Sequence, residues 1–312
     1  MKTNTSQSLA AQITRRASKQ TYYTIRLLVD RELVPDAYRA YAYFRWVDDC
    51  LDDEMICSSE RLAFLNRQQS LLEACYRHEP PGDLSAEEEM LVDLVKNDGE
   101  DYSGLQSYLR NMMSVMEFDV ERRGRLITQA ELSEYSRSLA TAVTDALHYF
   151  IGHNCSPPDG NTRYIAVRGA HVVHMLRDMV EDTANGYFNI PIEYLETHAL
   201  SPNDVNHQSY RMWVFHRVQL ARTYFGTGRN YLTQVKNPRC RLAGFAYIAR
   251  FEWTLNTIVR DGYRLRAAYP QRKSPLAGLW MVWNMFSSIL GLHRLKTRPQ
   301  QLAIQPLQYD EP

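Results

Sequence analysis

Two short acidic clusters have the residue types and spacing that metal-dependent phosphate chemistry needs. The first acidic cluster is Asp48-Asp49-Cys50-Leu51-Asp52-Asp53, and the second acidic cluster is Asp178-Met179-Val180-Glu181-Asp182. Each cluster contains two aspartates four residues apart, so on a helix both carboxylates project from one face. Grouped oxygen ligands suit Mg²⁺, which prefers a few carboxylates plus the oxygens of a phosphorylated substrate. Two such faces looking at each other are expected to hold a diphosphate through magnesium ions.

The surroundings of the clusters favour metal sites over ordinary solvated helix faces. Tyr41-Ala42-Tyr43-Phe44 precedes the first cluster, and the apolar pattern Val172–Val180 runs into the second. Burying several carboxylates without cations costs several kcal/mol for each ion. A calcium loop of the EF-hand type is disfavoured, because neither cluster has the glycine and the spaced oxygens of that loop.

Basic residues lie just before both clusters. Arg45 and Arg177 could each form a salt bridge to the neighbouring aspartates, or donate to the oxygens of a leaving diphosphate, and their matched placement favours the second role. His171 and His174 lie one turn apart before Asp178. We interpret both histidines as pocket-lining or core groups, and we place His174 with the substrate-binding residues.

These features predict ionisation of an allylic diphosphate. Magnesium and the arginines would stabilise the charge on the leaving group. The carbocation left behind requires a dry cavity, in which aromatic faces offer cation–π stabilisation.

The spacing of apolar residues predicts an all-α protein with about ten helices, since no sustained alternation of the strand type occurs. The chain is expected to form one domain over residues 1–312 around a central cavity, with a flexible N-terminus at 1–17. Helical patterns run from about Ala37 into the first cluster and over Glu60–Tyr76, Glu87–Lys96, Leu105–Val120, Gln129–Ile151, Tyr164–Ala184, Tyr210–Leu232 and Arg239–Tyr269.

An apolar helix is predicted over residues 274–294, followed by a polar tail at 295–312. Its uncharged stretch, Ser274–Leu292, approaches the roughly 20 residues that span a bilayer, but Pro275 and Asn284 dilute it. A core helix is our first interpretation, peripheral docking on a membrane the second, and a membrane span the third.

The composition excludes several classes of protein. Lys+Arg and Asp+Glu are both 36, so a nucleic-acid partner held by bulk charge is not expected. Five cysteines without a CxxC pair, and an N-terminus without an apolar signal core, favour a cytoplasmic location, with membrane association through 274–294 as the variant. Gly226-Thr227-Gly228 follows no predicted strand, so it is no dinucleotide fingerprint. Oligomeric state is not encoded in any recognisable pattern.

Several segments resemble the squalene/phytoene synthase family in their order along the chain. Tyr41–Asp52 resembles the first aspartate-rich motif of that family, and Arg177–Asp182 resembles the second. Ser18–Tyr23 is similar to the N-terminal segment that borders the diphosphate site, and Ile190–Glu193 is similar to the turn after the second motif. The likeness covers residues 15–275.

This resemblance implies an isoprenoid-synthase fold and Mg²⁺-dependent, head-to-head condensation of two farnesyl or geranylgeranyl diphosphates to a squalene- or phytoene-type product. NADPH would be needed only for a squalene-type product. The implied metal ligands are Asp48, Asp49, Asp52, Asp178, Glu181 and Asp182, of which Asp48, Asp52, Asp178 and Asp182 would be catalytic. The implied diphosphate contacts are Thr21, Tyr41, Arg45, Arg177 and Arg266.

Departures from the family pattern leave alternative functions open. His171 and His174 replace the usual Gln and Asn, and Thr141 and Thr144 fill a patch where the family has glycines. One alternative is therefore a terpene cyclase, or a prenyltransferase with another acceptor. A further alternative is a non-catalytic protein that binds a lipid diphosphate.

Overall fold

The structure, a computed structural model, describes residues 2–53, 55–153, 155–270, 278–280, 283 and 287. The described residues up to 270 contain eleven α-helices and no strand, which confirms the all-α prediction. The helices are α1 (Lys2–Ala17), α2 (Lys19–Leu28), α3 (Val34–Leu51), α4 (Ser58–Tyr76), α5 (Ala86–Lys96), α6 (Gly104–Arg122), α7 (Gln129–Phe150), α8 (Ile165–Ala184), α9 (Ile192–Thr197), α10 (Gln208–Leu232) and α11 (Pro238–Arg260). Short 3₁₀ turns occupy Arg31–Leu33 and Asn161–Tyr164.

The chain divides into two compact units, each built from three separate segments. The first unit comprises Met1–Arg122, Arg137–Gly160 and Val235–Cys240, and the second comprises Arg123–Ser136, Asn161–Gln234 and Arg241–Pro312. The first acidic cluster belongs to the first unit and the second acidic cluster to the second. The single domain expected over 1–312 stays a prediction, because the division into compact units does not test whether either unit folds independently.

The prediction of a flexible N-terminus at 1–17 is wrong. This segment forms α1, whose residues Ser6, Ala10 and Thr14 recur at four-residue spacing and are 3%, 0% and 0% exposed. The helix packs on α3, where Arg39 Nε donates to Ser6 Oγ at 3.0 Å. The buried stripe consists of small residues, so it lacks the large apolar side chains from which helical periodicity is ordinarily detected.

The helix predicted over Arg239–Tyr269 ends earlier than expected, at Arg260. Gly262 and Tyr263 both adopt a positive φ of 63°. The Tyr263 N–H donates to the carbonyl of Ile258 at 3.0 Å, as in a Schellman termination. The left-handed backbone therefore stops α11 although the apolar pattern continues.

Most of the predicted apolar helix at 274–294, and all of the polar tail at 295–312, lie outside the described residues. Within the part of the chain that the structure describes, none of the helices has the length and apolar character required to cross a bilayer.

Helices α8 and α10 of the second unit cross in close contact because glycines lie at the crossing. A Cβ on Gly228 would lie 2.7 Å from the Cβ of Ala166, and a Cβ on Gly169 would lie 3.0 Å from that of Tyr224. Real Cβ atoms essentially never lie as close as 2.7 Å to a neighbour and seldom as close as 3.0 Å. The two helix backbones can therefore approach this closely only because residues 169 and 228 have no side chain. The crossing holds in place the helix that carries the second acidic cluster.

The glycines of α10 provide a matched pair for testing this contact. Gly228→Ala should lower the free energy of unfolding by about 1–3 kcal/mol, because two packed backbones must separate. Gly226→Ala should raise it by about 0.5–1 kcal/mol, since Gly226 has no neighbour within 4 Å at that point and alanine favours a helix. Urea denaturation followed by circular dichroism measures both, and equal effects of the two variants would contradict the crossing.

Candidate functional site

The first acidic cluster occupies the carboxyl end of α3. Asp48 and Asp49 lie in the last turn, and Asp52 is the first residue after the helix, with its N–H donating to the Asp48 carbonyl at 2.9 Å. The last turn contains no basic residue. Because the carboxyl end of a helix carries partial negative charge, each carboxylate there is disfavoured by about 0.3–1 kcal/mol. The predicted helical placement is confirmed for Asp48 and Asp49, whereas Asp52 lies just beyond the helix.

The pKa of Asp48 reflects the negative charge gathered in the first acidic cluster. Burial raises the pKa of Asp48, and the neighbouring carboxylate of Asp52 raises it further. Asp119 and Asp49 act in the same direction, whereas Arg45 acts against them. The net result is that the pKa of Asp48 rises to about 6. A divalent cation beside these carboxylates would reverse the shift, since an opposite charge favours the ionised form.

Arg45 forms a salt bridge with its own cluster. Its Nη1 lies 3.1 Å from Asp48 Oδ2, and its Nη2 donates to Asp49 Oδ1. The Arg45 side chain is 42% exposed, so the guanidinium lies at the surface of the first unit. Tyr41 lies one turn earlier on α3 and is half-buried. Donation by Arg45 to a diphosphate stays a prediction.

A buried polar network holds α3 against α4 and α5. Tyr43 Oη donates to Gln68 Oε1 at 3.0 Å, and Gln68 Nε2 donates to Glu88 Oε1 at 2.9 Å. Arg67 donates through Nε and Nη2 to the two oxygens of Glu88, at 2.7 and 2.8 Å. The backbone N–H of Ser85 also donates to Glu88, at 3.0 Å. Donation from Arg67, opposed by burial, lowers the pKa of Glu88 to about 2.

The second acidic cluster occupies the carboxyl end of α8, where the last turn again contains no basic residue. Asp178 accepts from Arg177 Nε at Oδ1 (2.6 Å) and from Arg177 Nη2 at Oδ2. His174 Nε2 lies 3.1 Å from the same Oδ2. Burial tends to raise the pKa of Asp178, but donation from Arg177 and His174 prevails and holds it well below the ordinary value. Both oxygens of Asp178 are therefore engaged by side chains of its own helix.

The two histidines before the second cluster have different surroundings. His171 is buried, its Nδ1 lies 3.0 Å from Ser136 Oγ, and its ring meets the edge of Tyr135. The side chain of His174 is 49% exposed and lies over Asp178. The interpretation as a core group is confirmed for His171, whereas His174 belongs to the acidic cluster.

Two residues beside the acidic clusters were not predicted from the sequence as site residues. Asn189, only 1% exposed, donates from Nδ2 to Asp182 Oδ2 at 2.6 Å and so positions that carboxylate. Asp119, on α6, adds negative charge beside Asp48. Asn189 lies just before Ile190–Glu193, the segment similar to the turn after the second motif of the family, and this position was the available signal.

The remaining predicted substrate contacts make local interactions. Thr21 donates through Oγ1 to Ser18 Oγ at 2.9 Å, and Ser18 is the N-cap of α2. Arg266 lies in the second unit, where its Nη2 is 2.5 Å from Asp261 Oδ1. Its backbone N–H donates to the Tyr269 hydroxyl at 3.1 Å. Substrate binding by Thr21 and Arg266 stays a prediction.

The first cluster is a better fit for Mg²⁺ than the second. Among the described residues, no three His, Cys, Asp or Glu side chains gather in an arrangement that could hold a metal ion. The carboxylates around Asp48 nevertheless have the oxygen chemistry and the excess negative charge that Mg²⁺ requires. A magnesium ion on Asp178 would first have to displace Arg177 or His174, whereas Glu181 is exposed.

Comparison with known proteins gives a consistent picture. The family model described as squalene/phytoene synthase matches residues 14–277. Among solved structures, the chain is similar to the squalene synthase HpnC from Alicyclobacillus acidocaldarius, with 22% identity, a TM-score of 0.69 and coverage of 84% of this chain and 95% of that chain. It is also similar to a dehydrosqualene synthase in complex with a ligand, with 14% identity, a TM-score of 0.69 and coverage of 94% and 98%. A search among curated proteins finds no match. At these identities the solved structures show a shared fold.

The network around Glu88 predicts a pH-dependent stability. Glu88→Ala should lower the free energy of unfolding by about 1–3 kcal/mol at pH 7, because Gln68 and Arg67 lose a charged acceptor. Since the folded pKa is lowered to about 2, the contribution of Glu88 is complete above about pH 4.3 and is lost as the pH falls towards 2. Urea denaturation at pH 7 and pH 3 measures the two differences.

Glu87→Ala, in the same turn of α5, is the control and should change stability little at either pH. An equal loss for Glu88→Ala at pH 7 and pH 3 would contradict the role of the charge and would indicate lost packing instead.

Proposed function

The chain belongs to the squalene/phytoene synthase family, a family of prenyltransferases, and from this premise we propose that it condenses two farnesyl or geranylgeranyl diphosphates head-to-head in a Mg²⁺-dependent reaction. One observation carries the proposal: both acidic clusters lie within the stretch that the family model matches, each at the carboxyl end of a helix. Prenyl diphosphates supply the phosphate oxygens that complete a magnesium shell.

In this proposal the first cluster binds magnesium through Asp48, Asp49 and Asp52. Bound magnesium supplies Lewis-acid stabilisation to the leaving diphosphate. The raised pKa of Asp48 supports the assignment, because this carboxylate gains most from a nearby cation. Arg45, at the surface beside these carboxylates, is in our proposal the donor that turns from Asp48 and Asp49 to the diphosphate.

The second cluster contributes Asp178, Glu181 and Asp182 as further ligands in our proposal. Arg177 and His174 are two donors already held beside Asp178. In our proposal both side chains exchange Asp178 for diphosphate oxygens, so both stay hydrogen-bonded and the positive charge of Arg177 lies beside the leaving group. Asn189 would keep Asp182 in position during this exchange.

A second candidate function is a terpene cyclase, or a prenyltransferase with another acceptor, which uses the same ionisation. It is favoured by Thr144, which is 4% exposed and whose hydroxyl has no hydrogen-bond partner among the described residues. A buried hydroxyl at a position where the family has a small residue changes the space and polarity available to a carbocation. NADPH would be consumed only if the product is of the squalene type.

Product analysis of the full chain tests the proposal. The protein is incubated with farnesyl or geranylgeranyl diphosphate and Mg²⁺, with and without NADPH, and products are identified by mass spectrometry. A linear product of two joined substrates is expected. A cyclic or mixed product would support the second candidate, and binding without diphosphate release would contradict both and leave a non-catalytic lipid-diphosphate protein.

Substitutions in the clusters identify the residues responsible. Asp48→Asn and Asp178→Asn should each lower the rate of diphosphate release by at least about 100-fold, because charge on the leaving group is no longer stabilised. Asp53→Asn is the matched control: Asp53 is exposed, and its Oδ1 accepts from the Met55 N–H at 2.9 Å, which asparagine can still do. Unchanged release in Asp48→Asn would contradict the proposed metal site.

A further inference from the structure

A pocket of about 390 Å³ in the second unit has no role in the proposed reaction. Its walls come from α9, α10 and the start of α7, and none of its lining residues belongs to an acidic cluster. Tyr194, Trp213 and Leu220 provide an apolar and aromatic surface. His198 and His216 add hydrogen-bonding groups at its edge. A pocket of this volume is within the range used to bind small organic molecules.

A narrow cleft lies next to this pocket. It shares Gln129, Arg217 and Leu220 with the pocket, and its other lining residues include Ser136 and Arg168. Its volume is about 20 Å³, which is room for one water-sized group. The shared residues place this narrow, more polar space next to the wide apolar pocket.

Arg168 gives the polar end its chemical preference. Its Nε is buried and has no hydrogen-bond partner among the described residues. Its guanidinium carbon lies 5.4 Å from the ring centroid of Tyr224. Arginine is always charged, and its planar fork suits carboxylate and phosphate oxygens. The Glu193 carboxylate also lines the pocket, but it accepts from the Gln129 N–H at 3.1 and 3.0 Å, at the start of α7.

We propose that this pocket and cleft bind a small anionic amphiphile, with a carboxylate or phosphate oxygen at Arg168 and an apolar chain against Trp213, Tyr194 and Leu220. An anionic oxygen fits the cleft because the positively charged Arg168 lines it, and the size of the cleft admits a single small group. The chain of the ligand replaces water on the apolar wall. The proposal does not depend on the reaction at the acidic clusters.

Isothermal titration calorimetry of the full chain, in EDTA to keep magnesium away from the acidic clusters, tests the site. The probes are decanoate, decyl phosphate and decan-1-ol, which share a chain and differ in the head group. At least one anion should bind about tenfold more tightly than the alcohol. The tighter of the two anions identifies the head group as carboxylate or phosphate.

Three variants locate the binding. Arg168→Gln should weaken the anions about tenfold and leave the alcohol unchanged, since only the charged donor is lost. Leu220→Trp should weaken all three probes by filling the pocket. Arg222→Gln, an exposed residue on α10, is the matched control and should change nothing. Turnover of prenyl diphosphates should be unchanged in Arg168→Gln.

The proposal is overturned if neither anion binds at about 1 mM, which corresponds to only about 4 kcal/mol of binding free energy. It is also overturned if the alcohol binds as tightly as both anions, or if Arg168→Gln and Leu220→Trp leave anion binding unchanged. If the full chain shows no prenyl transfer but the binding results are as expected, the proposed reaction is disproved and the proposal of this binding site stands.

Discussion

Half-buried carboxylates near the carboxyl ends of two helices carry an electrostatic cost, and offsetting this cost governs both acidic clusters. Asp48 and Asp49 lie in the last turn of α3, and Glu181 and Asp182 lie in the last turn of α8, where basic residues ordinarily stabilise a helix. The cost is met locally, by Arg45 in one unit and by Arg177 and His174 in the other. Such an arrangement is hard to explain by stability alone, because lysine or arginine at the same positions would favour both helices.

The donors in the two units offset this electrostatic cost to different degrees. In the first unit Arg45 only partly offsets its neighbours, so Asp48 keeps a raised pKa and gains from an added cation. In the second unit Arg177 and His174 compensate Asp178 fully, so its pKa is lowered. The first cluster therefore keeps an excess of negative charge, whereas the Asp178 carboxylate of the second cluster is already engaged by two donors.

The elements that carry the clusters are positioned by interactions of two kinds. A buried chain of hydrogen bonds through Gln68 and Glu88 orients α3, and the close crossing at Gly228 orients α8. Both depend on specific atoms at specific sites. Solved relatives with only 22% and 14% identity share the fold, so the fold tolerates wide substitution elsewhere.

The sequence by itself determined the helices with large apolar stripes, the helices that carry Asp48, Asp49 and the second acidic cluster, and the family, because these depend on spacing and motifs along the chain. Only the tertiary structure decided that Ser6, Ala10 and Thr14 bury α1, since small residues give no periodic signal until a partner helix is present. It also decided which donors engage Asp178 and Asp182, and it brought Arg168 beside Leu220. Those contacts join residues that are distant in the chain or choose one partner among several, so no local pattern specifies them.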